Sequence, residues 1–267
     1  MGLIAERIFP AGALLGEGPV WDPRIAAWWW VDVEGHVLHC FDGTSDRAWL
    51  MPTYVSMIAL RAAGGIAVAL RDEVRVFDGV LGEVIARIDH PGCRFNDGAV
   101  DPRGRLWLGS LALDFHTGGG ALYRLDSDRF SCQIPDVTIS NGIRWSADGR
   151  TCYYIDTPTG RVDAFDFDLE SGVLSQRRPC VLIPPERGSP DGMAIDAEGL
   201  LWIGLWGGGA VLRVDPRSGR IVDEVAVPGA INVTACAFAG ERLLITTVGD
   251  LYVVEAGVVG VAPAYLD

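Results

Sequence analysis

The sequence predicts an all-β fold, and within that class a six-bladed β-propeller with four-stranded blades around a central channel. Three observations carry this expectation. Long amphipathic helical patterns are absent, and in their place short runs rich in Val, Ile, Leu, Trp and Tyr recur between Gly, Asp and Pro, as in WWWVDV, IAVAL, RLWLG, CYYID, LLWIG and RLLITT. These runs fall into six units whose starts are 39 to 50 residues apart. Each unit holds about four strands, the sequence signature of a propeller blade.

The first strands begin at Glu17, Ser56, Asn96, Asn141, Asp191 and Thr234, followed by GPVWD, MIALR, DGAVD, GIRWS, GMAID and ACAFA. Each ends four residues on at a large apolar side chain: Trp21, Leu60, Val100, Trp145, Ile195 and Phe238. Second strands centre on Trp29, Ile66, Leu106, Tyr153, Leu201 and Leu243. Trp28, Trp29 and Trp30 lie on one of them and read as core rather than as a sugar-stacking platform. Third strands read HVLHCFD, EVRVFD, ALYRLD, RVDAFDFD, AVLRVD and LYVVE, which places His36 and His39 on a strand. The acidic residues that end them, Asp42, Asp78, Asp126 and Asp215, read as turn residues.

Fourth strands are RAWLMP, GEVIARI, FSCQI, PCVLIP and RIVDEVAV. For the sixth unit either GVAPAYL or the N-terminal AERIFP fits. AERIFP is the expected partner, because a strand borrowed from the far terminus closes the ring and removes an exposed edge.

Residues 1–267 read as one propeller, a length that closed β architectures reach as a single unit. The formal net charge of −13 opposes binding to nucleic acid or anionic membrane surfaces, and a monomer or small homo-oligomer is expected. No apolar run reaches ~18 residues. MGLIAERIFP lacks the basic region and apolar run of a signal peptide, so the chain reads as cytoplasmic, with its six scattered cysteines reduced.

In a propeller the first strand of every blade lines the channel, so the six start residues form a ring that is polar at every position. Two of them are carboxylates and two are carboxamides. Burying them around one axis is costly unless something pairs with them, and a hard divalent cation would do so. Spacing alone leaves open which ring residues bind it. Taken singly, Asn and Asp before Gly are ordinary turn residues, and Asp97 in RFNDG is the weakest candidate of that stretch.

LGEGPVWD (15–22), RFNDGAVDPRGRLWLGS (94–110), ISNGIRWSADGRTCYYIDTPTGRVDAFDFD (139–168), SPDGMAIDAEGLLWIG (189–204) and GGGAVLRVDP (207–216) together resemble the senescence-marker-protein/gluconolactonase family, which includes regucalcin and bacterial sugar lactonases. The resemblance implies a six-bladed propeller with one divalent metal, Ca²⁺, Zn²⁺, Mg²⁺, Mn²⁺ or Fe²⁺. It implies Glu17, Asn141 and Asp191 as metal ligands and Arg94 and Asn96 as substrate holders. Asp114 stands where some members carry an acidic sugar contact, in a compact loop that also holds His116.

The reaction so implied is hydrolysis of a sugar lactone to its aldonic acid, with Asp191 as general base on the attacking water. No GxSxG nucleophile motif is present. The alternatives are another metal-dependent esterase or organophosphate hydrolase, or a non-catalytic calcium-binding regulatory propeller.

Overall fold

The structure is a computed structural model that describes residues 2–267. Six antiparallel sheets are arranged as the blades of a propeller, and each runs outward from an inner strand. The inner strands are Gly16–Asp22, Val55–Leu60, Cys93–Val100, Ser140–Trp145, Ser189–Ile195 and Val233–Ala239. Each packs on the next, and the sixth packs on the first, so the ring is closed. The only helical turns among the described residues are Thr157–Thr159 and Pro185–Arg187, and no helix is long and apolar enough to cross a membrane.

Closure comes from the N-terminus, as AERIFP suggested. Glu6–Ala13 pairs antiparallel with Gly249–Glu255 and becomes the outer strand of blade 6. Ahead of it, Leu3–Ile4 adds a short parallel strand to the outer edge of blade 5. The other candidate, GVAPAYL, is no blade strand. It belongs to a C-terminal strap across the floor of the ring, where Val261 N–H donates to Ile195 O, Leu266 N–H to Leu60 O and Asp267 N–H to Gly104 O. Pro263 and two alanines leave that segment without the alternation that marks a half-buried strand.

Packing within the blades follows the repeat. Trp28, Trp29 and Trp30 are all buried, so the core reading of the tryptophan run holds. An aspartate ending the inner strand recurs in three blades, and each accepts from the indole N–H of a second-strand tryptophan: Trp29 to Asp22 at 3.4 Å, Trp107 to Asp101 at 2.9 Å and Trp202 to Asp196 at 2.9 Å. Arg24, Arg105 and Arg213 pair with the same three carboxylates. These buried charges are thus paired and hydrogen-bonded, as burial demands. Asp42 and Asp215 make the expected turns, accepting from backbone N–H groups two and three residues on or at the second residue alone. His39 is on a third strand, Val37–Phe41, but His36 is not; it sits in the preceding turn at φ 57°. All six cysteines are unpaired.

Candidate active site at the channel mouth

The polar ring lies where each inner strand slips register against its neighbour. The slips fall between Glu17 and Val20, Val55 and Met57, Phe95 and Gly98, Ser140 and Ile143, Pro190 and Met193, and Val233 and Ala235. A bulge bends the strand and re-aims a side chain, so six bulges at one level turn polar groups toward the axis. Small residues permit the crowding. A Cβ on Gly142 would stand 2.9 Å from Met193, and one on Gly192 2.6 Å from Ala235.

The ring residues divide by what satisfies them. Thr234 is a latch, donating to Gly16 O at 2.5 Å and meeting the Thr246 hydroxyl at 2.9 Å, which ties blade 6 to blade 1. Ser56 is buried with its hydroxyl unpartnered. Asn96 and Asn141 join in a chain whose direction is set by Arg94, because a guanidinium can only donate. Arg94 Nη1 donates to Asn96 Oδ1 at 2.7 Å, and Asn96 Nδ2 donates to Asn141 Oδ1 at 2.9 Å and Ser140 O at 2.8 Å. Asn141 Nδ2 then donates to Thr157 Oγ1 at 2.7 Å, whose own proton goes to Pro190 O at 2.8 Å.

Glu17 and Asp191 lie close enough for the charge of Asp191 to act on Glu17. Burial is the first cause holding Glu17 well above the usual carboxylate range, followed by the charges of Asp191 and Asp97. Asp191 is raised likewise, by burial and then by Asp97, although the Gly192 N–H works the other way. Asp191 Oδ1 is buried and has no hydrogen-bond partner. Among the described residues no three His, Cys, Asp or Glu side chains converge as a metal-ligand group, so a cation here would depend on the carboxamide oxygen as well.

Asp97, the weakest candidate of RFNDG, lies close enough for its charge to raise both Glu17 and Asp191, and burial raises its own carboxyl while Arg144 lowers it. The bulge between Phe95 and Gly98 is the reason: it leaves two consecutive residues, Asn96 and Asp97, outside the ladder, where strict alternation would have sent one away. Asp114 stands apart from the ring. Its side chain is 75% exposed and accepts from His116 at 2.5 Å in the rim loop of blade 3. His116, 61% exposed, is bound there and not to the ring. Thr157 and Tyr54 went unnoticed in the sequence. Nothing in TPTG or PTYV marks them; the first orients Asn141, and the second lies under the Arg94 guanidinium, 5.5 Å from its carbon.

The model of the SMP-30/Gluconolactonase/LRE-like region matches residues 15–249. The chain belongs to that family. Among its relatives, a Bacillus subtilis (strain 168) protein provisionally named sugar lactone lactonase YvrE is 36% identical over 238 residues, covering 86% of this chain and 81% of the relative. Regucalcin of Danio rerio is 36% identical over 250 residues, covering 91% and 83%. Among solved structures, the calcium-binding protein regucalcin from Agrobacterium tumefaciens str. C58 superposes with a TM-score of 0.92 at 28% identity, covering 99% of this chain and 98% of that one. Membership supports chemistry of the sugar-lactonase type.

Proposed function

We propose that the protein is a metal-dependent lactonase that opens a sugar lactone to its aldonic acid. The observation that carries this is the juxtaposition of a buried, unpartnered carboxylate oxygen on Asp191 with a neighbouring carboxylate, Glu17, beside a directional Arg94–Asn96–Asn141 chain. The donor set fits a hard divalent cation. Two neighbouring carboxylates, Asp191 buried and Glu17 half-buried, are unfavourable without a counter-charge, and the oxygens of Glu17, Asn141 and Asp191 would hold one. When bound, such a cation polarises a lactone carbonyl and acidifies water.

The remaining roles belong to the chain. Arg94 and Asn96 orient the ring hydroxyls, and Asn141 is fixed from behind by Thr157. Asp191 takes the proton of the attacking water at a carboxylate oxygen. The water oxygen bonds to the lactone carbonyl carbon, the bond from that carbon to the ring oxygen breaks, and the departing oxygen takes up a proton to give the open-chain acid. Asp114, on the exposed rim, is proposed to reach the far end of the sugar.

The test is a pH-indicator assay on five- and six-carbon aldonolactones, with the protein stripped of metal and then reloaded with each divalent ion. Acid release that returns on reloading is expected. No acid from any lactone with any of the ions would overturn the reading.

A further inference from the structure

Glu34 stands opposite Arg94 at the mouth, in a turn built to hold it there. Asp32 staples the turn: its Oδ1 accepts from Leu15 N–H at 2.9 Å and Gly35 N–H at 3.0 Å, and its Oδ2 from Leu14 N–H at 3.0 Å. A Cβ at position 35 would lie 2.3 Å from Asp32 Oδ2, so only glycine fits. His36 continues the turn in the left-handed region. Its carbonyl accepts from Met51 N–H at 2.8 Å, and its ring meets the edge of Tyr54 at 4.8 Å.

These contacts leave the Glu34 carboxylate 3.8 Å from Arg94 Nη2, 44% exposed and without another partner among the described residues. Part of the guanidinium is committed elsewhere. Nη1 donates to Phe95 O at 3.0 Å as well as to Asn96, and the Tyr54 ring covers one face. A free arginine at a pocket mouth recruits carboxylates through its planar fork. Here the half of the fork left open, at Nη2, already has an anion beside it, so an arriving carboxylate meets Glu34 at the same place.

We propose that Glu34 sets the charge selectivity of the mouth, admitting neutral polyhydroxy lactones and turning away lactones that carry a carboxylate. The proposal rests on the lactonase reading and names its substrate class. Glu34 can accept hydroxyl donors from a neutral sugar, whereas a substrate carboxylate would be repelled by it and would have to compete with it for Arg94 Nη2.

The γ-lactones of gluconic and glucaric acid test this, because they differ only in a terminal CH2OH against a carboxylate. The unchanged enzyme should favour the gluconic lactone. Glu34→Gln should shift the ratio of kcat/KM values toward the glucaric lactone by about 2- to 5-fold, mainly through KM, the range an exposed charge contact supports. Glu34→Asp should keep the original preference, and added salt should shrink the preference of the unchanged enzyme more than that of Glu34→Gln. A ratio identical in the unchanged enzyme and Glu34→Gln would overturn the proposal while leaving the lactonase reading intact. If the unchanged enzyme opened neither these nor other aldonolactones, both would fall.

Discussion

At the scale of single residues, the site depends on carboxyl groups kept close in a buried channel. Asp191→Ala should abolish turnover, because it removes both a metal oxygen and the base, while Asn96→Ala should act mainly through KM by cutting the chain from Arg94 to Asn141. Steady-state kinetics of the metal-loaded variants separate the two; full activity in Asp191→Ala would mean the site is wrongly placed. Glu17 and Asp191 also imply a pH effect. A carboxyl raised in the folded state binds its proton more tightly folded than unfolded, so its stabilising contribution is present below the unfolded value of about 4 and is lost as pH rises through the folded one. Metal-free protein should therefore melt lower at about pH 8 than at about pH 5, and a divalent cation should raise Tm more at the higher pH. Thermal melts with and without cation check this, and a cation effect equal at both pH values would contradict it. Much of the residue level was legible in the sequence, since the ring followed from the repeat and its candidates from family motifs. The placing of Asp97 beside Asn96 was not readable because a bulge breaks the alternation by which a strand is read, and Tyr54 was missed because its role depends on a contact between blades.

At the scale of elements, the strands were readable because each is a short β-rich run between turn residues, and the borrowed N-terminal strand followed from the need to close an edge. The C-terminal strap was not readable, since its role is fixed by hydrogen bonds to blades far away in sequence. The N-terminal strand supports a direct prediction. Deleting residues 1–13 would leave Gly249–Glu255 as an unpaired edge in a closed ring, and Arg7 would no longer reach Asp250 at 3.1 Å. The truncated chain should lose cooperative melting or self-associate, as light scattering and calorimetry would reveal; a monomer melting like the full chain would refute the assigned role.

At the scale of the whole molecule, each inner strand leans on two neighbours and the last leans on the first, so no blade has an independent boundary. We propose that the ring unfolds as one unit. A single calorimetric transition with equal calorimetric and van't Hoff enthalpies is expected, and two separable transitions would show that the blades divide into independent sets.

Closure through the N-terminal strand also sets a timetable for synthesis. Arg7 and its partner Asp250 lie 243 positions apart, so the strand Glu6–Ala13 waits for one made much later. At ribosomal rates that delay is on the order of 10–50 s. Throughout it the strand Glu6–Ala13 has no partner, and the latch between Thr234 and Gly16 cannot form. The channel acquires its sixth wall only after Val233–Ala239 and Gly249–Glu255 have been made.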